Sequence, residues 1–180
     1  MKNKLTAFII TALMVLTSVV MASSAKADGI ITLTGGSLSV LPQNVDFGTH
    51  GLTGYNQTFN GTTTAWTVSD PSGTGSGWRL SVKATDFTKN GDTSKKISVA
   101  GFKTSLDDAD IVKVDGNGKP VSTMTSLVAL SPSDQTMASA AAGTGMGTYT
   151  VLPAFTLDVA AEAYAGSYTA VLTATVSATP

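Results

Sequence analysis

The chain has 180 residues, of which only 13% are charged, and 11 Lys and Arg against 12 Asp and Glu give a net charge of -1. Soluble domains usually contain about 25% charged residues, and nucleic-acid binding needs clustered Lys and Arg, so no nucleic-acid partner is expected. There is no Cys, and His50 is the only His. Disulfides, thiolate metal sites and cysteine nucleophiles are therefore excluded, and a histidine-based metal site or catalytic triad is disfavoured.

Residues 1–27 have the three parts of a secretory signal peptide. Two early lysines are followed by an apolar run from Leu5 to Ala22, and Ala25-Lys26-Ala27 places small residues where signal peptidase reads. We predict cleavage after Ala27; an uncleaved anchor is the alternative, because the run is almost long enough to span a bilayer. The signal peptide contains three of the basic residues, so residues 28–180 carry 8 basic and 12 acidic side chains, a net charge of -4.

Residues 28–180 have the composition of one all-β domain. They are rich in Thr and Val, which branch at Cβ and suit strands better than helices. Apolar and polar residues alternate, and turns rich in Gly, Pro and Asn, such as Asn90-Gly91, separate these runs. This pattern predicts a single β-sandwich of Ig-like antiparallel sheets. The alternating segments are 78–83, 155–159 and 168–177, and we interpret 131–147, which is small and polar, as a loop.

Candidate catalytic and metal-binding residues are few. The acidic cluster Asp107, Asp108 and Asp110 is either a calcium site or, as we favour, a solvated loop. Residues 115–118 are similar to the start of a calcium loop but lack its later Glu, which favours a hairpin turn between Val114 and Val121. His50 is interpreted as a surface residue, and the chain has one Glu and no Gly-x-Ser-x-Gly elbow. We therefore predict no enzyme activity, no catalytic residues, no metal and no cofactor.

The two tryptophans, Trp66 and Trp78, have two interpretations. Aromatic rings on a sheet surface can stack on sugars, whereas rings in a sandwich core contribute large apolar area. Alternation places Trp78 on the same strand face as Leu80 and Val82. A core position for Trp78 is therefore favoured.

Two segments carry a family resemblance. A Gly-rich turn over 73–77 leads into Trp78-Arg79-Leu80, and a distal segment runs from Tyr168 through Leu172 to Val176 and a closing Pro180. Together, with supporting similarity at 45–48 and 143–149, they resemble the WxL domain, a surface domain of low-GC Gram-positive bacteria. The resemblance spans about Gly29 to Pro180. The family's distal motif has Trp and Leu where this chain has Ala174 and Val176.

The resemblance implies a secreted protein held non-covalently on the cell wall, with peptidoglycan as its ligand. It marks Trp78, Leu80, Tyr168 and Leu172 as the candidate wall-binding motif. The chain ends without a sortase motif, apolar tail and basic terminus, so we expect no covalent attachment at the cell surface. The resemblance also implies complexes with other WxL proteins and a membrane-anchored surface protein. In the alternative interpretation, the chain is a structural subunit of such a complex and a partner protein contacts the wall.

Overall fold

The structure, a computed structural model, describes residues 29–179, and the predicted signal peptide with its cleavage site at Ala27 lies outside them. Residues 33–179 form one compact unit; residues 29–32 precede it and have no regular secondary structure. No helix in the described part of the chain is long and apolar enough to cross a membrane. The strands are Ser39–Leu41 (β1), Gln57–Gly61 (β2), Trp66–Asp70 (β3), Trp78–Ala84 (β4), Phe87–Lys89 (β5), Asp92–Ile97 (β6), Phe102–Ser105 (β7), Ile111–Gly116 (β8), Val121–Ser122 (β9), Val128–Ala129 (β10), Gln135–Ala140 (β11), Gly147–Val151 (β12), Ala154–Val159 (β13), Tyr168–Thr169 (β14) and Leu172–Ala178 (β15).

The strands form four antiparallel sheets packed on one apolar core, which confirms the predicted all-β sandwich. Two four-stranded sheets have the orders β1-β3-β12-β8 and β15-β4-β11-β9. A third sheet has the order β10-β7-β13-β2, and a small fourth sheet has the order β14-β5-β6. Two single 3-10 turns, Val99–Gly101 and Asp108–Asp110, complete the described secondary structure.

The core follows the alternation along the strands. Trp78, Leu80 and Val82 are completely buried on one face of β4, as predicted, and the alternate residues of β13 are buried in the same way. A second part of the core is a group of phenylalanine rings whose centroids lie 5.2–6.0 Å apart in mostly edge-on contacts. The rings are Phe47, Phe87, Phe102 and Phe155, with Trp66 beside Phe155.

The interpretation of residues 131–147 as a loop is wrong. Residues Gln135–Ala140 form β11, which pairs with β4 on one side and β9 on the other. A β-bulge between Thr136 and Ala138 places Met137 and Ala138, two consecutive residues, in the core. The bulge removes the period-2 signal, because alternation holds only where strand pairing is regular.

Two other predictions of local structure need correction. Residues 115–118 do not form a hairpin turn, since β8 pairs with β12 and β9 pairs with β11 in another sheet. The last alternating segment is two strands: β14 pairs with β5, and β15 pairs with β4. Between them, Val171 N–H donates to Thr85 Oγ1 at 3.0 Å. The Asn90-Gly91 turn is a true hairpin, with φ of 47° and 82° as a type I′ turn requires.

Asp158 joins three strands of the third sheet. Its carboxylate lies 2.6 Å from Lys103 Nζ on β7 and accepts a 2.7 Å hydrogen bond from Thr58 Oγ1 on β2. The hydrogen bonds from Lys103 and Thr58 hold the pKa of the Asp158 carboxyl below its usual value. The side chain is 40% exposed, so solvent screens much of this interaction.

We expect Asp158→Asn to lower the free energy of unfolding at neutral pH by about 0.2–1 kcal/mol, as for other exposed ion pairs. Because the folded-state pKa is lowered, this stabilisation is complete above the unfolded-state pKa of about 3.9 and is lost as pH falls through the folded-state value. Urea unfolding of the parent chain and the Asp158→Asn variant, from neutral pH to about pH 2, measures the difference in their free energies of unfolding. A difference that stays constant from neutral pH to about pH 2 would contradict this assignment.

Candidate functional site

Trp78 and Leu80, the two named residues of the Trp-x-Leu motif, lie in the core. Both side chains are completely buried on β4. The Trp78 ring lies 6.3 Å from the Tyr149 ring, and its Nε1 donates a 2.9 Å hydrogen bond to the Gly145 carbonyl. Leu80 is paired with Ala138 on β11 and with Val176 on β15. Neither side chain reaches the surface. Both can therefore affect binding only by stabilising the domain that carries the binding surface.

Glycines surround Trp78 because its indole and the nearby chain leave no room for Cβ atoms. A Cβ on Gly145 would lie 2.6 Å from Trp78 Nε1 and would overlap the Ala140 side chain. A Cβ on Gly77 would lie 2.8 Å from the carbonyl carbon of Ala141. Gly145 and Gly77 also have φ of 75° and 76°, in the left-handed region that favours glycine. The Gly-rich sequence before Trp78 and the one around Met146 therefore leave the space in the core that the Trp78 side chain fills.

Asn117 connects the segment 115–118 to the glycine loop at 143–147. Its Oδ1 accepts from Met146 N–H at 3.0 Å, and its Nδ2 donates to the Gly143 carbonyl at 2.8 Å. The Tyr149 hydroxyl lies 3.0 Å from the Met146 carbonyl and 3.1 Å from the Gly118 carbonyl. Burial, and then the Asp70 carboxylate, raise the pKa of the Tyr149 hydroxyl, which keeps it a donor. Sequence analysis missed the role of Asn117; an Asn between two glycines was its only signal.

The distal motif meets the Trp-x-Leu motif on one ladder. Strand β15 lies along β4, with Leu172 opposite Ala84, Ala174 opposite Val82 and Ala178 opposite Trp78. Thr179 N–H then donates to the Gly77 carbonyl at 3.1 Å. These contacts tie the end of the chain to the turn that precedes Trp78.

Ala174 and Leu172 lie on the core-facing row of an edge strand, and both are half-buried. Tyr168 lies in the small fourth sheet, opposite Lys89, and its hydroxyl donates to the Tyr164 carbonyl at 2.9 Å. The structure therefore places Trp78, Leu80 and Leu172 on one β4–β15 ladder, with Trp78 and Leu172 at its opposite ends, and places Tyr168 in another sheet. Their shared role in wall binding stays a prediction.

The acidic cluster has structural partners. Asp107 Oδ1 accepts from Ala109 N–H at 2.8 Å and caps the second 3-10 turn, and Asp108 Oδ1 accepts from Ser122 N–H at 2.6 Å. Within residues 29–179, no three His, Cys, Asp or Glu side chains are grouped to hold a metal ion. His50 is exposed, as predicted, and stacks on Phe59 with 3.9 Å between ring centroids.

The two buried tryptophans differ in one hydrogen bond. Trp78 Nε1 has the Gly145 carbonyl as its acceptor, whereas Trp66 Nε1 has no partner among the described residues. We expect Trp78→Phe to lower the free energy of unfolding by about 1–3 kcal/mol more than Trp66→Phe, because only Trp78→Phe leaves a buried carbonyl unpaired. Guanidinium unfolding of the two variants measures this, and equal losses would contradict a structural role for the hydrogen bond.

Alanine substitutions of Gly143 and Gly145 test how tightly the side chain of Trp78 is enclosed. Both have positive φ, but a Cβ on Gly143 meets nothing within 4 Å. We expect Gly143→Ala to cost about 1–2 kcal/mol from backbone strain. Gly145→Ala should cost about 1–3 kcal/mol more from overpacking. Thermal unfolding compares them; equal melting temperatures would show that the Trp78 pocket adapts to a methyl group.

Comparison with known proteins identifies the family of the chain. The family model described as "WxL domain surface cell wall-binding" matches residues 25–180. No curated protein and no solved structure matches the chain. The matched range includes all fifteen strands and both motif segments that meet on the β4–β15 ladder. The chain therefore belongs to the WxL family of surface domains that bind the cell wall.

Proposed function

We propose that this protein is secreted and attaches non-covalently to the peptidoglycan of a Gram-positive cell wall through residues 28–180. The observation that carries the proposal is the family match, which extends over the whole sandwich and is described as wall-binding. The signal-peptide pattern of residues 1–27 supports secretion with cleavage after Ala27. A binding family, rather than an enzyme family, also agrees with the lack of a catalytic motif in the sequence.

The buried motif supports a division of roles in this proposal. Trp78 and Leu80 hold β4 between β11 and β15, and the exposed side chains of the sandwich contact the wall. Residues 28–180 carry a net charge of -4, counted as 8 basic and 12 acidic residues. Wall polymers are often anionic as well, so overall charge opposes docking. Stacking, hydrogen bonds and local positive charge must therefore provide the affinity.

The test is retention of the purified chain starting at Asp28 on protein-stripped Gram-positive cell walls, at low and high salt. We expect retention at both salt concentrations, since stacking and hydrogen bonds between neutral groups are not screened by ions. Mass spectrometry of the protein recovered from culture medium checks that the chain begins at Asp28. A folded sample that the walls do not retain would contradict direct wall binding.

Strand β15 favours a second candidate function, that of a structural subunit in an extracellular surface complex whose partner contacts the wall. Within residues 29–179, β15 is an edge strand that pairs only with β4. Val171 O accepts from Thr85 N–H and Thr179 N–H donates to Gly77 O, just beyond the two ends of β4, so in this register the odd-numbered residues of β15 bond to β4. Backbone groups of the even-numbered residues 172–178 therefore point to the free edge, where another protein can add a strand. Failure of direct retention would favour this function, with another WxL protein or a membrane-anchored protein as the partner.

A further inference from the structure

A group of aromatic and basic side chains, one exposed and three half-buried, lies on the small β14-β5-β6 sheet and the loop before it. We define this aromatic–lysine patch as Tyr164, Tyr168, Lys89 and Lys95. Tyr164 is 61% exposed, and Lys95 Nζ lies 5.7 Å from the centroid of its ring. Lys89 is paired with Tyr168 across the β5–β14 ladder. We propose that this patch, and not the buried Trp-x-Leu motif, is the peptidoglycan contact, an inference that rests on the proposed function.

The loop that carries Tyr164 is held at several points, so its backbone is ordered before any ligand arrives. Ala161 N–H donates to Asn56 Oδ1 at 3.0 Å, and Asn90 N–H donates to the Ser167 carbonyl at 3.2 Å. The Tyr168 hydroxyl donates to the Tyr164 carbonyl itself at 2.9 Å. A preorganised contact loses less conformational entropy on binding. Tyr168 acts here as a positioning residue.

Tyrosine suits contact with a sugar. Its ring offers a rigid apolar face for the C–H surface of a pyranose, and its hydroxyl bonds to water or to sugar hydroxyls. With 61% of its surface exposed, Tyr164 contributes little to the core. The loop is thus ordered around a large aromatic side chain that the fold does not bury, which is the arrangement of a binding residue.

The patch is locally neutral on an acidic domain, so it repels an acidic glycan–peptide strand less than the domain as a whole does. Residues 86–97 contain three lysines and two aspartates, and Glu162 lies two residues before Tyr164, so these charges balance on a domain whose net charge is -4. Lys96 is paired with Asp86 at 2.7 Å, whereas the Lys95–Asp92 pair is longer, 3.5 Å, with both side chains more than 40% exposed. Such an exposed pair is weak and exchanges partners readily. We therefore expect Lys95 and Lys89 to pair with carboxylates of the peptide stems.

The experiment measures the affinity of purified cell walls for the chain starting at Asp28 and for Tyr164 variants. We expect Tyr164→Ala to weaken binding about tenfold, the loss typical when an aromatic contact is truncated at an interface. Tyr164→Phe keeps the ring and should retain most of the affinity. The melting temperature should change little in either variant, because the side chain is exposed.

A charge-matched pair of variants separates the site from general electrostatics. Lys95→Gln and Lys113→Gln change the net charge equally, but Lys113 is an exposed residue on β8, in another sheet. We expect Lys95→Gln to weaken binding at low salt more than Lys113→Gln, and Lys95→Arg to restore it. If the parent chain binds walls, and the Tyr164→Ala and Lys95→Gln variants each bind as tightly as the parent, the patch is not the contact. The proposed function then still stands. If the parent chain itself is not retained, the proposed function fails first.

Discussion

The hydrogen bond from the Trp78 indole to the Gly145 carbonyl is the contact on which the rest of this sandwich depends. It places a large side chain between β4 and the glycine loop at 143–147, where the Tyr149 ring packs beside it. A side chain on Gly145 would overlap the indole, and Asn117 holds the loop in place from the other side. Buried hydrogen bonds of this kind contribute most when every partner is satisfied, as the carbonyl of Gly145 is here.

This arrangement gives the family motif a physical meaning. The glycines, Trp78 and Leu80, and the distal strand occur far apart along the chain but meet on and around β4. They identify the domain because they build its core, and none of this requires the tryptophan to touch a ligand. Ala174 replaces a larger residue of the family on an edge strand, opposite Val82. An edge position is half-exposed, so a small side chain is accommodated there without an enclosed cavity.

The proposed contact with the wall therefore lies on the surface rather than in the motif. Exposed Tyr164 and the lysines of the β5–β6 hairpin provide a stacking surface and ammonium groups on an acidic domain. Separation of a buried, fold-defining motif from an exposed binding surface lets the surface change without loss of the fold. It also makes the two roles separable by experiment, because stability reports on Trp78 and wall affinity reports on Tyr164.

Sequence alone indicated the β class, favoured a core position for Trp78 beside Leu80 and Val82, and placed a turn at Asn90-Gly91, because alternation and turn chemistry are local properties. It failed at β11, where a bulge puts Met137 and Ala138 side by side in the core. Tertiary structure alone decided the pairing, since β5–β6 is the only described pair of consecutive strands. It also decided which aromatic rings are exposed. Such contacts join residues as distant as Thr58 and Asp158, and no local pattern encodes a contact across 100 residues.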